Sequence, residues 1–212
     1  MALVLNEEQR LLRDTARDFL ATSAPVNALR KLRDEHDATG YCPELWRQMT
    51  DLGWANIIVP EVYDGLDFGF VGLSLIMEET GRTLTASPLF ASSVVGTSAI
   101  LMGGNTQQKE NLLPRVAAGD LTLALALEES HHHRPSTIAT RAEHQKGGYV
   151  INGEKTFVLD GHSADKLIVV ARTSGEYKST EGISLFLVDS SADGVKCHRT
   201  IMADSRNAAN IE

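Results

Sequence analysis

Apolar residues over the first 119 positions recur at helical spacing, and after Gly119-Asp120 they recur at every second residue. The opening Asn6-Glu7-Glu8-Gln9 has the form of a capping box, in which Asn6 accepts from first-turn amides and Gln9 reaches back. Leu12, Ala16, Phe19 and Leu20 then form one apolar helix face. A second helix is predicted from Val26 to about His36. A third opens at Pro43, turns Leu45, Trp46, Met49 and Leu52 inward, and ends at Gly53. Trp54 to Val59 is an apolar run closed by Pro60, followed by a turn at Asp64-Gly65. Phe70 to Leu84 reads as an amphipathic helix, with Glu78 and Glu79 facing out or lying at an interface. Pro88 to Met102 is apolar nearly all round, the pattern of a helix buried on most sides, and Gly103-Gly104 stops it. Asn105 to Gln108 is a second capping box for a helix ending near Ala117. Five or six helices in a bundle are predicted.

From Leu121-Thr122-Leu123-Ala124-Leu125-Ala126-Leu127 onward the elements are short strands. They are predicted at Leu121–Leu127, Ile138–Glu143, Tyr149–Ile151, Glu154–Leu159, Lys166–Arg172, Ile183–Val188 and Gly194–Thr200. Asn152-Gly153 between two apolar runs predicts a type I′ hairpin, since both its central residues need positive φ. The fold class is therefore α+β: a helical domain over 1–119, then a small antiparallel β-barrel or sandwich over 120–212. The β pattern still runs at Glu212, so the β domain is expected to be incomplete there.

Composition changes this picture little. Apolar and charged content are those of an ordinary globular chain, and the formal net charge of −8 argues against a surface that binds nucleic-acid phosphates. Cys42 and Cys197 are too few and too far apart for a disulfide framework or a zinc site. The N-terminus lacks a basic segment and a long apolar run, and no stretch is long enough to span a bilayer. A cytoplasmic protein is expected.

Candidate chemistry is sparse. His131-His132-His133 cannot all face one metal from a regular strand, because neighbours alternate sides, and a solvated loop is the simpler reading. Glu128-Glu129 closes the first strand and reads as a charge pair in water more readily than as an acid–base pair. No Gly-x-Gly-x-x-Gly, Walker A loop or nucleophile elbow is present. On the residues alone, the chain is an α-then-β protein with an interdomain cleft.

Several segments, in order, resemble the acyl-CoA dehydrogenase family. Leu5 to Asp14 is similar to its opening helix. Leu52-Gly53-Trp54, Val59-Pro60-Glu61 and Tyr63-Asp64-Gly65 are similar to its LGW…VPExYGG segment. Glu78-Glu79-Thr80-Gly81-Arg82 resembles EELGR, and Gln108-Lys109, Leu113-Pro114 and Gly119 resemble the run into the β domain. The resemblance covers essentially all 212 residues.

It implies a helical domain, a β middle domain and a C-terminal four-helix domain, with FAD between the last two. The expected reaction is α,β-desaturation of an acyl-CoA thioester: a carboxylate takes the α-proton and flavin N5 takes the β-hydrogen as hydride. Leu125, Leu127 and Glu128 of the first strand, and Phe157, Val158 and Leu159 of a later one, would line the flavin. His133 and Arg134 would lie near the CoA entrance. The C-terminal domain and its usual glutamate base are expected to lie beyond Glu212, so no catalytic residue is assigned and no metal is implied. Two motifs depart from the family. Glu128 to Pro135 replaces TEPxxGSD, and Phe157-Val158-Leu159-Asp160-Gly161 replaces WITNG, so Leu159 stands where a threonine hydroxyl usually bonds N5. These changes resemble actinobacterial-type members that handle bulky acyl or steroid side chains, some as heteromers of two subunits. An electron-transfer acceptor and a homo- or hetero-oligomer are implied as partners. A non-catalytic subunit of a heteromer, and a related flavoprotein with a different reaction, are the alternatives. Exposed apolar surface that favours association is also expected.

Overall fold

The computed structural model describes residues 4–212; the Met1–Leu3 part of the N-terminal reading lies outside them. Helix α1 (Glu7–Ser23) starts on the Asn6/Gln9 capping box and buries Ala16 and Leu20. Helix α2 (Val26–Asp34) stops short of the expected His36, which adopts a left-handed backbone with φ 53°. Helix α3 (Pro43–Asp51) buries Leu45, Trp46 and Met49 as expected. Leu52 instead sits just past the helix end and is 40% exposed. Trp54 to Val59 forms no regular element, yet its apolar side chains plug the bundle core, where the Trp54 ring meets Phe19 edge-on at 5.5 Å.

Helix α4 (Gly69–Thr83) separates its two glutamates. Glu78 faces solvent, whereas Glu79 is 1% exposed and clamped by Arg17 of α1 at 2.9 Å and Arg82 at 3.1 Å. A buried carboxylate needs such partners to offset its lost hydration. The expected single helix over Pro88–Met102 is divided into a π-helical stretch, Leu89–Gly96, and helix α5 (Thr97–Gly103). The wider coil sets buried Ser92 against the next domain, where its Oγ accepts from Leu123 N at 3.2 Å. Helix α6 (Thr106–Ala117) opens on the second capping box.

Eight strands follow: β1 (Leu123–Ala126), β2 (Arg141–Gln145), β3 (Gly148–Asn152), β4 (Lys155–Leu159), β5 (Lys166–Arg172), β6 (Ile183–Asp189), β7 (Cys197–Ile201) and β8 (Asn207–Ile211). They make two sheets and no closed barrel. One joins β1, β5, β2 and β3 with β6 on the other side of β5; the other is β4-β8-β7. The expected all-antiparallel arrangement fails at β1, which runs parallel to β5 from Leu123↔Lys166 to Ala126↔Val169. The hairpin expected at Asn152-Gly153 also fails. β3 instead pairs back on β2 through a tight turn at Lys146-Gly147, and Asn152-Gly153 carries the chain across to β4 in the other sheet. Gly153 makes that crossing against Thr140, where a Cβ would lie 2.3 Å from the hydroxyl. Strand β8 was not foreseen.

Strand β1 is the shared wall of the molecule. Its odd-numbered side chains, Leu123 and Leu125, pack with Val59, Ile100, Leu113 and Val116 of the helical region. Its even-numbered ones, Ala124 and Ala126, pack with Val158, Leu167, Ala209 and Ile211 between the sheets. The leucine alternation correctly marks a strand, but both faces are buried, with small residues facing the narrow inter-sheet space. At the far end of β5, Arg172 is 1% exposed and donates to six carbonyls, those of Ser136, Ile138, Ser174, Tyr177, Ser179 and Glu181. One guanidinium thereby ties two loops to the sheet.

Candidate functional site

Strand β4 organises the candidate site. Lys155 at its start is buried and bonds Glu129 Oε1 at 2.7 Å and Leu127 O at 3.1 Å. Glu129 also accepts from the amides of Ala139 and Thr140 at 2.6 and 3.0 Å. The reading of Glu128-Glu129 as a charge pair in water is therefore corrected for Glu129, which anchors the segment after β1. Burial works to raise its carboxyl, but the bonds from Lys155, Thr140 and Ala139 outweigh this and hold it below the ordinary value. Burial pulls the Lys155 amine down, against the pull of Glu129. Thr156 N then donates to Glu128 O at 2.7 Å, which stitches β4 to the end of β1.

That stitching sets the next residue. The register of β4 against β8 shifts between Lys155 and Val158, and Phe157 lies in the bulge with φ 55°. A bulky residue in the left-handed region costs on the order of 1–2 kcal/mol. The ring gains no burial in return, being 58% exposed. Val158 turns into the inter-sheet core, and Leu159 turns out again, half-buried.

Two cavities open along this outward face. The larger, about 550 Å³, is bounded by Glu128, Ser130, the three histidines, Thr156 and Phe157, and by Thr200, Ala208 and Asn210 of the β7–β8 hairpin. The Glu128 carboxylate is turned to the histidine loop: His133 Nδ1 lies 2.5 Å from Oε1, and Arg134 N donates to Oε2 at 3.1 Å. His131, His132 and His133 are exposed, and no cluster of metal ligands occurs among the described residues.

The smaller cavity, about 220 Å³, lies between the helical domain and β4, with Met77 and Phe90 on one side and Leu159, Asp160 and Arg206 on the other. Three side chains of the β domain hook the Asp37–Gly40 loop and hold the domains together there. His162 Nε2 meets Thr39 O at 2.9 Å, Arg199 Nη1 donates to Asp37 O at 2.6 Å and Ala38 O at 2.7 Å, and Asn207 Nδ2 donates to Gly40 O at 3.3 Å. Burial pushes the Asp160 carboxyl up to about 6 despite the nearby Arg206.

Glu128, His133 and Phe157 thus share one cavity, with Arg134 beside them, while Leu159 faces the other. Leu125 packs toward the helical core, Leu127 is half-buried with its carbonyl on Lys155, and the Val158 side chain is in the core. Sequence reasoning missed Asn210, whose Oδ1 accepts from Phe157 N at 3.3 Å, because Asn207-Ala208-Ala209-Asn210-Ile211 carries no clear alternation. It also missed Asp160 and Arg206, which only the tertiary fold brings together.

Residues 6–120 match the model of the acyl-CoA dehydrogenase N-terminal domain and residues 125–210 that of the middle domain. The chain belongs to the acyl-CoA dehydrogenase family. It is 36% identical over 196 residues to cyclohex-1-ene-1-carbonyl-CoA dehydrogenase of Geobacter metallireducens, a match covering 90% of this chain and 50% of that protein. Among solved structures it is similar to a variant of the Tcur3481-Tcur3483 steroid ACAD, with a TM-score of 0.84, 29% identity, and coverage of 97% of this chain and 54% of the other. It is also similar to an acyl-CoA dehydrogenase of Bacillus anthracis complexed with FAD, with a TM-score of 0.83, 26% identity, and coverage of 98% and 35%. The chain spans about half the length of the curated relatives it matches.

Proposed function

We propose that this chain forms the helical and β portions of an FAD-dependent acyl-CoA dehydrogenase that desaturates an acyl-CoA thioester between its α and β carbons. The observation that carries the reading is Phe157, an aromatic held exposed in a strained bulge over a cavity. Strain kept without burial points to a ligand that uses the ring. A flavin suits it: an outward Phe157 and a half-buried Leu159 offer an apolar, partly aromatic face to a planar ring. When bound, FAD supplies the acceptor for the hydride that leaves the β-carbon. Leu159 offers no side-chain hydroxyl, so hydrogen bonding to the ring from this strand falls to its backbone.

Arg134 is exposed and pairs with no carboxylate among the described residues, and His133 stands beside it; together they form the binding edge for the phosphates of CoA. Glu128 holds that edge in place through His133 and the Arg134 amide. The α-proton acceptor is assigned to no residue of this chain.

Two tests apply. Titration of the protein with FAD should give saturable binding that weakens at least about tenfold in Phe157→Ala. Mass spectrometry should find the acyl-CoA product short of two hydrogens, and binding or product absent across a panel of acyl-CoAs would remove the reading. A second reading, one subunit of a heteromer, is favoured by the two-component name of the steroid relative. It predicts co-purification from native cells with a second, different acyl-CoA dehydrogenase chain.

A further inference from the structure

The smaller cavity carries two opposite charges that do not pair with each other. The Asp160 carboxylate has no hydrogen-bond or ion-pair partner among the described residues, although the chain fixes its backbone tightly: its N–H donates to Asn207 O, and its carbonyl accepts from Ser163 and Ala164. Arg206, across the cavity, approaches only Asp204, at 3.9 Å. The third polar side chain at this wall, Asn207, is already committed to Gly40 O and to Arg199. The rest of the wall is mostly apolar, contributed by Met77, Phe90 and Leu159, with Ser87 the one further polar side chain. Half-buried charges of opposite sign that do not pair with each other call for a group that can answer both.

We propose that Asp160 and Arg206 form a subsite for a hydroxyl carried on the acyl chain, so that the preferred substrate is a hydroxylated acyl-CoA rather than a plain alkyl one. The proposal rests on the acyl-CoA reading above. A hydroxyl is the smallest group that donates to a carboxylate and accepts from a guanidinium at once. The site as a whole is neutral, which disfavours a second carboxylate on the substrate. A keto group would engage Arg206 alone. At neutral pH the Asp160 carboxyl, pushed up only to about 6, is mostly ionised and accepts the hydroxyl proton in a hydrogen bond. Sites built to bond a hydroxyl discriminate strongly against analogues lacking it, because their own polar groups are left unpaired.

The test is competitive binding to the flavin-loaded full-length protein of three acyl-CoAs matched in chain length: alkyl, keto-substituted and hydroxyl-substituted at a position remote from the thioester. The hydroxylated one should bind at least about tenfold more tightly than the alkyl one, and more tightly than the keto one. In Asp160→Ala, which removes the acceptor, and in Arg206→Met the ratio should fall toward one. Alkyl and hydroxylated chains binding equally well to the wild type would overturn the subsite while leaving the acyl-CoA reading intact. A preference that survives both substitutions would overturn it too. Loss of flavin reduction in Asp160→Ala with an unchanged hydroxyl preference would reassign Asp160 to proton abstraction. Failure of all three to bind would remove the acyl-CoA reading itself, and the subsite with it.

Discussion

Replacing Asp160 with asparagine should stabilise the protein at neutral pH and leave it unchanged in acid. The carboxyl is largely buried and accepts no hydrogen bond among the described residues, so its charged form is disfavoured and it is pushed up from 3.8 to about 6. In that interval the folded state holds a proton that the unfolded state has released. The contribution of this one group to stability therefore falls as pH rises from about 4 and levels off above about 7. The displacement corresponds to at most roughly 3 kcal/mol once the group is fully ionised in the folded state. Asparagine keeps the volume and has no charge to bury. Urea unfolding of both proteins at a series of pH values would read the effect directly. The two should coincide near pH 4 and diverge to a gain of about 1–3 kcal/mol for Asp160→Asn by about pH 7.5. Parallel stability curves, offset by the same amount at every pH, would refute the reasoning, because a lost contact and a buried charge differ in this respect.

Three further outcomes follow from the same geometry. Phe157→Gly removes a strained side chain that packs on little, so stability should stay within about 1 kcal/mol of wild type while FAD affinity drops; a loss above about 2 kcal/mol would make Phe157 a structural residue. Arg172→Met leaves six carbonyls without their donor and should cost about 3–5 kcal/mol in denaturant titrations, with faster proteolysis of the loop between β5 and β6. Lys155→Met strands a half-buried Glu129 and should cost up to about 3–5 kcal/mol, much of which the double variant Lys155→Met, Glu129→Gln should recover; no recovery would mean that the pair does not act as a unit.

The helical half of the molecule was legible because its signals are local. Both capping boxes are hydrogen bonds between residues three apart, and they form as the sequence predicts. The exception, the π-helical turn at Leu89–Gly96, is set by what Ser92 meets in the next domain. The β half was legible as strands but not as sheets. Asn152-Gly153 has the chemistry of a hairpin, yet the pairing went to Lys146-Gly147, and the partner of β4 came from β8, some fifty residues on. The parallel pairing of β1 with β5 is likewise non-local. At the site, the sequence marked Glu128, His133 and Phe157, which meet at one cavity. It could not mark Asp160 and Arg206, which face one cavity without pairing, or the Glu129–Lys155 ion pair, since neither couple has a fixed spacing and only the tertiary fold brings each together.

The most direct test of the flavin reading is the visible spectrum of the full-length protein purified from its native cells, recorded before and after anaerobic addition of acyl-CoAs. An oxidised-flavin spectrum that bleaches with at least one of them is expected. A protein that carries no flavin and takes up none, or a flavin that stays oxidised with every acyl-CoA supplied, would contradict it.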